Sequence, residues 1–147
     1  DEFLLRMAII LYQIGKYVNL LGSSSQAWNM IRGTDIFGIS DKEKDIVACI
    51  VYYDHKGTPS DEEVPFRVLT DESKMTALKL IAIFRLVRAM DMSRHQKLHD
   101  LSARIAGDAL VIEYDSEEDT SLETWLFDKE KEFFENVFGM EAKLERR

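Results

Sequence analysis

The sequence predicts an α+β fold, mainly α-helical, with a small antiparallel sheet in its C-terminal part. Apolar residues recur at helical spacing along most of the chain, and two short apolar runs flank Gly107-Asp108 near its end. Hydrophobic residues make up 46% of the 147 residues, against only 7 Gly and 2 Pro. Such a chain can bury a sizeable core, so we expect one folded domain over residues 1–147 rather than a disordered or low-complexity chain.

Four helices are expected in the first two thirds of the chain. They cover 2–20, about three turns after Ser23-Ser24-Ser25, 41–54, and a long stretch from Thr70 or Ser73 to about 93. The first helix carries apolar residues almost all round, which predicts that it is buried on most sides. The third has the clearest start, because Ser40 and Glu43 have the spacing of a capping box. The apolar face expected for the long helix is Met75, Leu78, Ile81, Ala82, Phe84, Leu86, Val87 and Met90.

The remaining third of the chain predicts a sheet and one further helix. A hairpin is expected over 98–114 around Gly107-Asp108, with a last strand at 140–145 that completes the antiparallel sheet. Between them an amphipathic helix is expected over 121–138, ended by Gly139. Its predicted core face consists of Leu122, Trp125, Leu126, Phe133, Phe134, Val137 and Phe138.

The net charge of the chain is −8, and all of it lies in the last part of the sequence. Residues 108–147 carry 5 basic and 13 acidic side chains, and such an end repels polyanions, so nucleic acid is not an expected partner. A single cysteine excludes a disulfide framework, and no apolar run has the length of a membrane span or the form of a signal peptide. We therefore expect a cytoplasmic protein without membrane contact. Because the chain starts at Asp1 without an initiator Met, we also expect a piece of a longer protein.

Five stretches in order resemble one protein family. The first, Leu11–Lys16, reads L-Y-Q-I-G-K and resembles the L-H-D-I-G-K stretch of the HD superfamily of metal-dependent phosphohydrolases. Similar stretches follow at Asp35–Ser40, Tyr53–Gly57, Arg85–Asp91 and Phe134–Gly139. Together they resemble the C-terminal, HD-like helical domain of the exopolyphosphatase / guanosine pentaphosphate phosphohydrolase family. The resemblance implies an HD-like helical bundle, with catalytic domains of the sugar kinase–actin type elsewhere in the parent protein as partners.

The departures from the family pattern imply a degenerate metal site. A working HD site holds divalent cations with His and Asp side chains, which supply neutral imidazole nitrogens and anionic oxygens. The positions that correspond to those ligands hold Tyr12, Gln13, Gln26, Asp54 and Arg88. Only Asp54 is a good ligand, and Arg88 puts a fixed cation where the metal would lie. The resemblance therefore implies no catalytic residue, metal or cofactor in this domain, and we expect Arg88 to reach Asp54 in place of the metal.

Three functions are weighed on this basis. The first is a non-catalytic accessory domain that supports domain packing, homodimerisation or polyphosphate access in the full-length protein. The second is an HD-type metal-dependent phosphohydrolase with altered ligands, which stoichiometric Mn, Fe or Zn in the purified protein would support. The third is a phosphate- or nucleotide-binding module that uses Lys16, Lys56 and Arg88, and titration with guanosine nucleotides and polyphosphate separates it from the first.

Three rival sites have simpler structural interpretations. Asp91, His95 and His99 would share one face only if the long helix continued through them, so solvated side chains are favoured over a zinc site. The run Gly22–Ser25 lacks the glycine spacing of a phosphate loop and is interpreted as an ordinary helix cap. Cys49 lies between apolar neighbours and is expected to be a small buried residue rather than a nucleophile.

Overall fold

The computed structural model describes residues 1–18, 24–54 and 57–147, with side chains described from residue 24 onward and for residues 1–13. The elements are the helices α1 (Glu2–Val18), α2 (Ser24–Gly33), α3 (Asp41–Tyr52), α4 (Val64–Arg67), α5 (Asp71–Met90) and α6 (Ser121–Phe138), and the strands β1 (His99–Ala106), β2 (Ala109–Asp115) and β3 (Glu141–Arg146). The α+β prediction is confirmed. Within the described ranges, no helix has the length and apolar character needed to cross a membrane.

The chain forms two compact units, Asp1–Phe84 and Arg85–Arg147. In the first unit α3 is the central helix, because α1 and α2 both pack against it. Every residue from Ile46 to Asp54 is buried. The predicted capping box is confirmed, since the Ser40 Oγ accepts a hydrogen bond from the Glu43 amide at 3.2 Å and the Ser40 amide donates to Glu43 Oε2 at 2.8 Å. The single domain over 1–147 stays a prediction.

For residues 1–13, whose side chains are described, the prediction that the first helix is buried on most sides is wrong. Leu4, Ala8 and Tyr12 form its buried side, at the i, i+4, i+8 spacing of one helix face. The other side of α1 remains open, with Phe3 51% and Ile10 57% exposed. An apolar run indicates that a helix buries part of its surface. It does not indicate how much of that surface the other helices of the same unit cover.

The segment between α3 and the end of α5 differs from its prediction in three ways. A short helix, α4, was not predicted, and it has Pro65 at its start. The long helix ends at Met90 rather than near 93. Met75 and Val87 are exposed, because the side of α5 that is buried is a different one, which includes Ala77 and Leu80.

The second unit begins with the predicted hairpin and ends with a strand whose direction was not foreseen. The strands β1 and β2 pair antiparallel around Gly107, whose φ of +64° suits glycine in a tight turn. The last strand, β3, pairs parallel with β2, so the sheet is mixed with the order β1-β2-β3. The antiparallel prediction was wrong for β3, because α6 is long enough to return the chain to the end of the sheet where β2 began.

The helix α6 has the predicted bounds but buries a different face. Gly139 ends it in the left-handed conformation at φ +67°, and Phe134 is buried as expected. Phe127 has no exposed surface, whereas Leu122 and Trp125 lie open to solvent. The two exposed residues are therefore corrections to the predicted core face.

Candidate functional site

Tyr12 and Gln13, the first two positions that the resemblance singled out, lie on α1 in different environments. Tyr12 is buried, and its ring meets that of Phe84 edge to face, with 5.4 Å between the ring centroids and an interplanar angle of 80°. Such contacts between aromatic rings stabilise a core. The neighbouring Gln13 is exposed. Tyr12 thus contributes an aromatic contact to the core of the first unit.

Gln26 lies in the first turn of α2, and its side chain is exposed. The helix is tied to α3 at its other end, where Arg32 Nε donates to Asp45 Oδ1 at 2.7 Å. The Arg32 guanidinium also lies 4.7 Å from the centre of the Trp28 ring, a distance typical of a cation–π contact. Arg32 therefore ties the C-terminal end of α2 to α3.

Asp54 directly follows the buried part of α3 and is itself buried, 4% exposed. It is the one carboxylate among the described vestigial positions of the first unit. Next to it, Tyr52 donates a hydrogen bond from its hydroxyl to Glu63 Oε1 at 3.1 Å, and the Tyr52 and Tyr53 rings meet edge to face. Burial raises the pKa of Tyr53, and the hydrogen bond to Glu63 and its negative charge raise it further. The raised pKa keeps the Tyr53 phenol protonated.

Cys49 is fully buried in α3, as the sequence predicted. Burial raises the pKa of its thiol to about 12, and the charges of Asp45 and Glu63 act in the same direction. A nucleophilic cysteine needs a lowered pKa and exposure to its substrate. This thiol has neither, so the interpretation of Cys49 as a structural residue is supported.

The candidate phosphate contacts are not brought together by what the structure describes. The Lys16 side chain and all of Lys56 lie outside the described residues, as do Gly22 and Ser23 of the Gly22–Ser25 run. Arg88 lies in the last turn of α5, in the second unit, and is half-buried. Its expected approach to Asp54 stays a prediction.

Metal-ligating side chains do not cluster in the described part of the chain. Within residues 1–18, 24–54 and 57–147, no three His, Cys, Asp or Glu side chains are placed to share a cation. Asp91, His95 and His99 follow the end of α5, so the helix that would align them is absent from this described segment. Arg94 and Gln96, between them, have positive φ angles of 58° and 50°.

One buried ionic group was missed by the sequence interpretation. Glu123, in the first turn of α6, has no exposed surface, and its Oε2 lies 3.8 Å from Lys97 Nζ. Burial acts to raise the pKa of Glu123, but the nearby polar groups of Ser93, the backbone of Glu123 itself and the Lys97 charge outweigh it and lower the pKa. A carboxylate in the first turn also interacts favourably with the helix dipole. The available signal was the position of Glu123 three residues after Thr120, where a glutamate can turn back into the fold.

The comparisons with known proteins agree with the resemblance found in the sequence. The model of the family domain described as Ppx/GppA phosphatase, domain III, matches residues 1–132. A comparison with curated proteins finds no match. The matched region includes all of the first unit and the start of the second through most of α6. Because the family model covers most of the sequence, the chain belongs to the Ppx/GppA phosphatase family, of which it contains domain III.

Proposed function

We propose that this chain is a non-catalytic accessory domain that packs against other domains of an exopolyphosphatase-like protein through α1. A domain III implies other domains in the same protein. The observation that carries the proposal is the open side of α1, where Phe3, Ile9 and Ile10 are all exposed. An apolar patch on one side of a helix is typical of a surface that another domain covers.

The chemistry of the vestigial positions supports the non-catalytic part of the proposal. A catalytic divalent cation is held by imidazole nitrogens and carboxylate oxygens. The ring of Tyr12 packs edge to face on the ring of Phe84. Gln13 and Gln26 carry neutral amide groups at the surface. Asp54 alone offers a carboxylate, and one carboxylate is too little to hold a catalytic cation.

Hydrogen exchange in the full-length parent protein tests the docking of α1. We expect the α1 amides to exchange more slowly in the parent than in the 147-residue chain. Ile10→Asp should speed this exchange by at least about tenfold in the parent, because it buries a carboxylate at the contact. Asn29→Asp is the matched control, since it adds the same charge at an exposed polar position of α2, away from the open side of α1. Equal exchange in the parent and in the isolated chain would show that no domain covers α1.

Metal analysis and phosphate release test the absence of catalysis. The purified chain, supplied with Mn²⁺, should release no phosphate from polyphosphate or guanosine pentaphosphate above the buffer rate. Stoichiometric Mn, Fe or Zn together with phosphate release would instead establish the alternative, an HD-type phosphohydrolase with altered ligands. A role in polyphosphate access, homodimerisation and a cytoplasmic location remain expectations of the same proposal.

A further inference from the structure

The outward side of α6 carries apolar side chains near the start of the helix. Leu122 and Trp125 are three positions apart, so they are neighbours on the helix surface, and they are 46% and 60% exposed. The residues that α6 buries are Glu123, Phe127 and Phe134, which lie on the other side. Tryptophan is among the residues that most often anchor protein interfaces, so an open tryptophan on a helix indicates a contact with another protein.

Exposed carboxylates lie at both ends of this apolar surface. Glu117 and Glu118 are exposed in the loop that leads into α6, and Glu132 is exposed two turns after the tryptophan. In the part of the chain that the structure describes, none of these three side chains takes part in an ion pair. Their charge is therefore available to a partner, and the surface has an apolar centre with negative charge on either side.

We propose that the α6 patch, formed by Leu122, Trp125, Glu118 and Glu132, binds a basic segment of another protein. The segment places an apolar side chain beside Leu122 and arginine side chains toward the glutamates. Charge complementarity determines this class of partner, because residues 108–147 carry 13 acidic side chains against 5 basic ones and repel an acidic partner. The inference goes beyond the accessory role, because that role rests on the first unit and this contact rests on the second unit alone.

The contact between Trp125 and Lys129 shows that the indole ring already attracts a cation. The Lys129 ammonium lies 5.5 Å from the ring centre, within the range of a cation–π interaction. A guanidinium is planar and more weakly hydrated than an ammonium, so an arginine of the partner is better suited to stack on the ring. Lys129 competes for this ring face and repels a basic partner, so its removal should strengthen binding.

The rise of the helix determines the spacing that the partner needs. Trp125 and Glu132 are seven positions apart, which corresponds to about 10 Å along the helix axis. An extended chain covers this distance in about three residues. A suitable probe is therefore a peptide with one leucine and an arginine three positions away on either side. So small a contact buries less surface than a standard interface, and we expect a dissociation constant of about 10–100 µM.

Fluorescence anisotropy of the labelled peptide measures its binding to the 147-residue chain. Trp125→Ala should raise the dissociation constant at least about tenfold, because it removes the central anchor. Glu132→Gln should raise it about threefold in about 50 mM salt and less in higher salt, which screens exposed charges. Glu62→Gln removes the same charge from an exposed glutamate of the first unit and is the matched control. Equal effects of Glu132→Gln and the control, or no binding at up to about 1 mM, would overturn the proposal.

A substitution of Lys129 tests the sign of the charge effect. Lys129→Gln should lower the dissociation constant about twofold to threefold, because it removes a repelling ammonium and opens the ring face. Lys79→Gln, at an exposed lysine of α5, is the matched control and should leave the constant unchanged. Weaker binding of the Lys129→Gln variant would contradict the proposed basic partner.

Tryptophan emission locates the bound peptide. The chain has two tryptophans, so a Trp28→Phe variant reports on Trp125 alone. Binding should shift its emission to shorter wavelength, because the ring leaves water. Binding without this shift would place the peptide elsewhere and overturn the proposal. Sedimentation of the chain alone tests another occupant, since a dimer that Trp125→Ala dissociates would assign the α6 patch to a second copy instead.

Discussion

Two aromatic residues of α6, Phe127 and Trp125, differ in burial, so their substitution by alanine should lower the free energy of unfolding by different amounts. Phe127 has no exposed surface, so Phe127→Ala leaves a cavity and should lower the free energy of unfolding by about 3–5 kcal/mol. Trp125 is 60% exposed and keeps less than half of the burial of a core tryptophan. The Lys129 ammonium lies 5.5 Å from the centre of the Trp125 ring. From this contact and the partial burial of the ring, we expect Trp125→Ala to lower the free energy of unfolding by only about 1 kcal/mol. The gain in helix propensity on substitution by alanine is similar at both positions and cancels in the comparison.

Urea denaturation followed by far-ultraviolet circular dichroism measures both losses. The expected result is a difference of about 2–4 kcal/mol between the two variants at an unchanged denaturant slope. The measurement belongs at low protein concentration, so that any association through exposed side chains does not contribute. A larger loss for Trp125→Ala than for Phe127→Ala would refute the assignment of the buried face. It would restore the interpretation from the sequence, in which Trp125 belongs to the core.

Three further predictions concern stability. Because the pKa of Glu123 is lowered in the folded chain, its carboxylate contributes stability above its unfolded pKa, and that contribution is lost as the pH falls through the folded pKa. Glu123→Gln should therefore make the free energy of unfolding depend less on pH in the acid range. Lys97→Met leaves the buried carboxylate without its cation and should lower the free energy of unfolding by about 3 kcal/mol at neutral pH. Ser40→Ala should cost about 1 kcal/mol in a urea melt through loss of the helix cap, and no loss would show that water replaces it. Phe134→Ala should cost about 3–5 kcal/mol in the same assay, and a loss under about 1 kcal/mol would place this stacked ring at the surface.

The positions of helices and turns were largely predictable because their signals are local. The capping box at Ser40 involves residues three positions apart, and Gly139 ends α6 through its own backbone conformation. The turn at Gly107 is equally local. Each of these interactions is present in the short segment that contains it, so the sequence alone is enough to find it.

The direction of β3 and the buried face of α6 depend on partners that are distant in the sequence. The alternation of residues 140–145 indicates a strand, but the same pattern fits a parallel or an antiparallel neighbour. For α6, apolar residues lie on more than one side, and Glu123 takes an inward position because Lys97 and Ser93 meet it there. A rule that places charged residues outside fails at such a point, because a paired carboxylate can be buried.

For the candidate site, the types of residue at each position were likewise predictable from the sequence, but the contacts that they make were not. The proposal that this domain holds no metal rests on residue identity, since in the resemblance a phenol and two amides stand where the family has good ligands. The contact that Tyr12 makes with Phe84 was not predictable, because the two residues are far apart in the sequence. A tyrosine ring carries a large apolar surface, and burial of that surface against the Phe84 ring stabilises the first unit through a contact that needs no cation. If the proposed correspondence of Tyr12 with a family ligand is right, this contact is the physical reason that the helical unit can hold together without a metal there.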